Sequence, residues 1–221
     1  MHLKPISVID QVANQVARSA ELLDFALEGV FERILRDNLS LAGLNEFYRV
    51  SGQLMQNTVD QIERQMQEGD MLLKRTQHDA VTRQSEALND LTSTYRNVTE
   101  TLWGAFQQLR VSYMKRLRAM LAAKTSGTSQ PLFSPRVRSR AGRTYRPYLF
   151  VYLEVRQALV DQYNTAQIAW IADQGYTHFK LDTTDEALLD KVFAVADYQS
   201  VADEYFHPRT LNLVGAPYVS T

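Results

Sequence analysis

Apolar residues recur along the first part of the chain in steps of three and four: Ile6, Ile9, Ala13, Val16, Ala20, Leu23, Leu27, Val30 and Ile34. That spacing places them on one stripe of an α-helix. The stripe lasts about four heptads and predicts a helix of roughly 30 residues, capped at Ser7 and laid lengthwise on another helix. Val12, Leu22, Phe25, Phe31 and Leu35 widen it beyond a two-stranded zipper, which favours a bundle over a dimeric rod. Asp37, Asn38, Ser40 and Gly43 supply a turn, and a second helix is expected from near Asn45 with the seam Met55, Val59, Ile62, Met66 and Leu73. Gly69 sits inside that seam and reads either as a turn with Asp70 or as a helix-interior glycine, at a cost of about 1 kcal/mol.

The seam resumes at Leu88, Leu91, Tyr95, Val98, Leu102, Ala105 and Leu109, then drifts onto Tyr113, Leu117 and Met120. Between Lys74 and Glu86 only Ala80 and Val81 are apolar, so the pattern leaves open whether residues 45–123 form one helix or two. A single helix over 71–123 would be about 80 Å long.

Proline and glycine then mark the boundaries. After Pro5 no proline occurs until Pro131, the first of five. Residues 124–147, KTSGTSQPLFSPRVRSRAGRTYRP, read as a Ser/Pro/Arg linker between a helical part at 1–123 and a C-terminal lobe at 148–221. Residues 148–155 are rich in aromatic and β-branched types, which pulls toward a strand. The segment that follows pulls toward a helix from Tyr148 to Gln174, ended by Gly175. YTHFKL alternates like a short strand, Thr183 and Glu186 form a capping box ahead of a short helix at 184–196, and the tail from Arg209 reads as an extended arm. The expected fold is thus mainly α: a long helical hairpin or coiled-coil bundle, a basic linker, and a small helical lobe ending in an arm.

Charge changes this picture more than composition does. The formal net charge of −1 hides a polarised chain: residues 1–100 carry −5, residues 101–153 carry +10 and residues 154–221 carry −6. The middle stretch holds no Asp or Glu but contains Arg110, Lys115, Arg116, Arg118, Lys124, Arg136, Arg138, Arg140, Arg143 and Arg146, with Tyr145 and Tyr148 close by. Three readings fit it: a solvated linker, a phosphate-binding surface whose tyrosines stack on bases, or a surface for an anionic membrane. No helix-turn-helix, zinc-finger or RNP pattern is present, so nucleic-acid contact would be sequence-independent.

Catalytic and metal chemistry find little to work with. The absence of cysteine removes disulfides, thiolate metal sites and thiol catalysis. No Gly-rich phosphate loop, nucleophile elbow or zincin motif occurs. Glu204 and His207 have the Glu-x-x-His spacing of di-iron bundles, but only one such motif exists where two are needed, and it abuts Pro208. No catalytic residue, metal or cofactor is therefore expected, and the chain reads as non-enzymatic. The N-terminus lacks a charged and apolar leader, and no apolar run nears the ~20 residues of a membrane span, which predicts a cytosolic chain.

Long amphipathic helices, the Ser/Pro/Arg linker, the missing cysteines and the tail TLNLVGAPYVST together resemble helical virion components of tailed bacteriophages, of the head-to-tail or ejection type. The resemblance implies residence in a virion, homo-oligomerisation and contact with packaged DNA. The seams and the basic stretch by themselves predict an assembly subunit whose oligomer seam is Ile9, Val16, Leu23, Leu27, Val30, Ile34, Leu88, Leu91, Tyr95, Val98, Leu102 and Leu109, with copies of the chain, other assembly proteins and DNA or another polyanion as partners. In its Gln-rich amphipathic helices the chain is also similar to phasins, granule- or membrane-surface coat proteins. A coat predicts apolar faces left exposed in the lone chain. A sequence-independent nucleic-acid-binding coiled coil is the third reading.

Overall fold

The computed structural model describes residues 4–76, 91–126, 135–207 and 212–218, the side chains of 91–95 and 124–126 excepted. Its order is α1 (Pro5–Asp37), α2 (Leu41–Lys74), α3 (Leu91–Ser126), β1 (Val137–Arg138), β2 (Thr144–Tyr145), α4 (Pro147–Asp173), β3 (His178–Asp182), β4 (Val192–Ala194), α5 (Tyr198–Tyr205) and β5 (Leu213–Tyr218). The protein is mainly helical with a small sheet region. None of these helices is long and apolar enough to cross a membrane.

α1 begins at Pro5, whose fixed φ suits the first helical position, so Ser7 lies within the first turn instead of capping it. α2 begins four residues before its expected start because Ser40 is its cap: Ser40 Oγ accepts the Gly43 N–H at 3.2 Å. Gly43 is required there, since a Cβ would lie 1.9 Å from the Asn38 carbonyl oxygen. α2 ends at Lys74, and 77–90, where the continuity of a 71–123 helix would be decided, lies outside the described residues.

The chain divides into two compact units whose boundaries fall inside helices: 15–65 with 99–152, and 1–14 with 66–98 and 153–221. This partition differs from the sequence-based one at 123/124 and 147/148. By sequence the first unit carries +6 and the second −7.

In the basic unit, three helices meet around Tyr113. Its ring lies 5.4 Å from Phe31 of α1 and 6.0 Å from Phe47 of α2, and its hydroxyl donates to Asp24 Oδ1 at 3.0 Å. Burial foremost, helped by the Asp24 charge, pushes the Tyr113 hydroxyl up, so it stays a donor. Burial likewise raises the Asp24 carboxyl, with the Tyr113 hydrogen bond pulling it down and Glu28 pushing it up. Ser19 reaches Gln65 and Arg33 pairs with Glu46, which sets α1 and α2 antiparallel. Ile9, Val16, Leu23, Leu27, Ile34, Val98, Leu102 and Leu109 are all buried, and Val30 is half-buried. The seam is thus covered within the single chain, because α1, α2 and α3 turn their stripes on one another. Leu88, and the side chains of Leu91 and Tyr95, lie outside the described part.

In the acidic unit Gly69 is helical, and a Cβ on it would meet the Val12 methyls at 2.6 Å. The glycine is therefore neither a turn nor incidental: it lets α2 approach α1. Asp10 pairs with Arg156 at 2.9 Å, and buried Asp70 takes Lys74 at 3.1 Å and the Gln162 amide at 2.6 Å. α4 ends as its sequence predicts. Gly175 has φ +78°, Tyr176 N–H reaches Ile171 O at 3.1 Å and Gly175 N–H reaches Ala172 O at 3.0 Å, a Schellman closure. Pro147 opens α4, which settles residues 148–155 as helix.

The lobe beyond α4 departs from the expected helix and arm. β4, β3 and β5 form an antiparallel sheet in that order. No α-helix forms over 184–196, where the only helical element is a 3-10 turn at Val195–Asp197, because Thr183 Oγ1 accepts the Asp185 N–H at 3.0 Å and Asp185 Oδ1 accepts the Ala187 N–H at 3.0 Å. Those local bonds turn the chain where a capping box would have started a helix. Short α5 follows at Tyr198. The tail is an edge strand: Asn164 of α4 accepts the Val214 N–H at 2.7 Å, and Asn212 accepts the Thr183 hydroxyl at 2.6 Å and donates to Tyr205 O at 2.9 Å.

Candidate functional site

Residues Arg136–Arg146 of the supposed linker form a β-hairpin in the basic unit. Val137 pairs with Tyr145 and Arg138 with Thr144. The loop is closed by Ser139 N–H to Arg143 O at 2.8 Å and Gly142 N–H to Ser139 O at 2.9 Å, and Gly142 takes φ +79°, a value glycine adopts without the Cβ penalty. Val137 is 1% exposed and anchors the hairpin in the core. Arg136, Arg138, Arg140, Arg143 and Arg146 are all exposed.

The hairpin is also held from α3. Gln108 Nε2 donates to the Arg138 carbonyl at 3.1 Å, and its Oε1 accepts the Arg138 N–H at 2.8 Å. One amide side chain therefore supplies both bonds that a neighbouring strand would offer. Arg138 Nε donates to Gly142 O at 3.1 Å, tying the loop to its own strand. At 100° per residue, Lys115 falls on the same stripe of α3 as Gln108, about two turns on, and Arg118 flanks it. Both are exposed.

Other residues of the basic stretch serve the fold. Arg110 is 8% exposed, donates through Nη2 to Tyr48 O at 2.8 Å and lies 3.5 Å from the Tyr48 ring centroid. It is a core cation fastening α3 to α2, and its position neighbours the Leu109 seam. Arg116 is half-buried and has a partner on the chain. The side chain of Lys124 is outside the described part. Tyr145 lies 6.2 Å from Phe150, and Tyr148 lies parallel to Tyr152 at 6.4 Å, so both rings already have aromatic neighbours in the chain.

The acidic unit has a concave feature that the sequence did not announce. A cleft of about 450 Å³ opens between α4 and α5, with Gln157, Asp161 and Thr165 on one wall and Tyr198, Gln199, Ala202, Asp203, Phe206 and His207 on the other. Gln157 donates to Asp161 at 2.6 Å and Gln199 to Asp203 at 3.0 Å. Burial raises the Tyr198 hydroxyl, the Thr165 hydrogen bond opposing it. The α4 face was legible as an i, i+4, i+8 spacing, but α5 was not expected, so its wall could not be placed. Glu204 is exposed, and no group of three His, Cys, Asp or Glu poised for a metal occurs among the described residues.

What the hairpin can do follows from its donors. Five guanidiniums on a backbone fixed by Val137, Gln108 and the Gly142 turn offer forked N–H pairs to phosphates at little ordering cost. No family model, no curated protein and no solved structure matches the chain.

Proposed function

We propose that the chain is a non-enzymatic structural subunit of a larger assembly that grips nucleic acid, without regard to base sequence, through its arginine hairpin. The observation that carries this reading is the set of five exposed arginines on a hairpin clamped by Gln108, in a stretch from Thr101 to Leu153 that has no acid. A docked hairpin has already lost most of its backbone freedom, so phosphate contact has only the arginine side chains left to order. The contact reads no bases, since its donors are charges and not a helix presented to a groove. Lys115 and Arg118 extend the same surface, whereas Arg110 does not. Residence in a phage virion, as a head-to-tail or ejection component, is the setting suggested by the resemblance of the chain's overall style.

A surface coat of the phasin kind draws less support, because most of the described seam residues that would face a granule or lipid are covered inside the chain. The burial of the described seam residues favours self-assembly through other surfaces. The test is a titration of the full chain at low salt against labelled duplexes of unrelated sequence and against anionic vesicles. Equal affinity for the duplexes supports the proposal; binding to vesicles alone, or to neither, refutes it.

A further inference from the structure

The two units carry opposite charge, and each presents its charge on a built feature. The basic one has the hairpin, with Arg140 and Arg143 exposed on its loop. The acidic one has the α4/α5 cleft, where Asp161 on α4 faces Asp203 on α5 and the Tyr198 and Phe206 rings lie 5.9 Å apart. No Lys or Arg is among the residues lining it. Carboxylates beside aromatic rings are the surroundings a guanidinium takes in preference to an ammonium: its flat face stacks on a ring while its edge donates a forked pair to a carboxylate.

We propose that the cleft receives the arginine hairpin of a second copy of the chain, so that copies join by hairpin into cleft. The inference rests on the hairpin being the chain's cation-presenting element, as the nucleic-acid reading does, and adds a second anionic partner for it. The occupant follows from charge complementarity: +6 on the unit that carries the hairpin and −7 on the unit that carries the cleft. The two surfaces differ, so the contact is heterologous, and it either closes or continues from copy to copy. The buried seam makes no demand on this interface, and the interface needs none of the seam. Because nucleic acid uses the same arginines, duplex and cleft compete for them.

Sedimentation velocity of the full chain tests this with two variants. Asp161→Asn with Asp203→Asn disables the cleft and keeps the hairpin; Arg140→Gln with Arg143→Gln does the reverse. The wild-type mass should rise with concentration at low salt and fall toward one chain at high salt, where the charges are screened. Each variant alone should sediment as one chain. An equal mixture of the two should form a pair and stop there, since only one hairpin and one matching cleft remain. If the double Asn variant does not fold, Asp203→Lys at an exposed position blocks the cleft instead. A wild-type chain that stays single at low salt and high concentration, or a cleft variant that associates like wild type, overturns the inference. The cleft variant keeps all five hairpin arginines and loses the competitor for them, so its duplex affinity should equal that of wild type at concentrations where wild type is a single chain and exceed it where wild type associates. Normal duplex binding with no self-association would remove this inference and leave the nucleic-acid reading standing.

Discussion

Replacing Gln108 by Ala tests whether the hairpin is a clamped platform or a loose loop that happens to carry arginines. The change removes a donor to the Arg138 carbonyl and an acceptor for the Arg138 N–H, bonds of 3.1 and 2.8 Å. Net hydrogen-bond contributions run about 0.5–1.5 kcal/mol each. Both bonds lie at the surface, where water substitutes readily, so the low end applies and the pair should stabilise the docked hairpin by about 1 kcal/mol. That is roughly a fivefold change in the ratio of docked to undocked hairpin. Val137, buried in the core, remains as an anchor, so the hairpin should loosen without leaving. Hydrogen exchange read by NMR should show the Arg138 amide about fivefold less protected, with α1 and α2 amides unchanged. Duplex affinity should fall several-fold while its salt dependence stays the same, because no cation is lost. An Arg138 amide that exchanges as in wild type would refute the clamp; a reduced salt slope would show that Gln108 acts on charge and not on order.

Other consequences concern the fold. Asp24→Asn keeps an acceptor for the Tyr113 hydroxyl and removes a charge whose burial raises its folded-state pKa. A raised pKa means stability that is present at acid pH and lost as pH rises through it, so wild-type urea midpoints should decline as pH rises above about 4, the ordinary aspartate value, while the Asn variant should stay flatter and be at least as stable at neutrality. Parallel pH profiles would count against the burial cost. Leu23→Asp and Leu27→Asp place charge at positions 2% and 0% exposed, so each should lower the melting temperature by an amount corresponding to several kcal/mol, independent of protein concentration. A change in assembly mass with unchanged melting would mean the seam lies between chains. Gly69→Ala should cost about 1–3 kcal/mol through collision with Val12, and Val12→Ala in the same chain should recover part of it, as seen by thermal melts; additive losses would deny the contact.

The long helices were legible because their apolar steps persist for many turns and their ends carry the expected residues, Pro147 at the start of α4 and Gly175 beyond its end. What covered the stripe was not. Periodicity shows that Leu23 and Leu27 want burial, but a partner helix from the same chain and one from another copy satisfy it equally. In the C-terminal lobe the alternation of YTHFKL gave β3, but the sheet around it stayed hidden for a different reason: its strands are three to six residues long and are pinned by bonds such as Asn164 to Val214, across 50 residues of sequence. The five arginines could be picked out by charge, yet the hairpin under them could not, since two-residue strands leave no alternation to read. Arg110 shows the limit most plainly. Its charge grouped it with Arg136 and Arg140, and only its neighbours in space, Tyr48 and the α3 seam, assign it to the core.

Neutralisation of phosphates by the hairpin arginines is read from the salt dependence of duplex binding in wild type and in a chain with Arg136, Arg138, Arg140, Arg143 and Arg146 all changed to Gln. Each neutralised phosphate contributes about −0.9 to the slope of log affinity against log salt. Affinity should therefore fall in the variant and the slope should shrink by about four to five units, while the helical signal and melting temperature hold. Equal slopes for the two proteins would contradict the account.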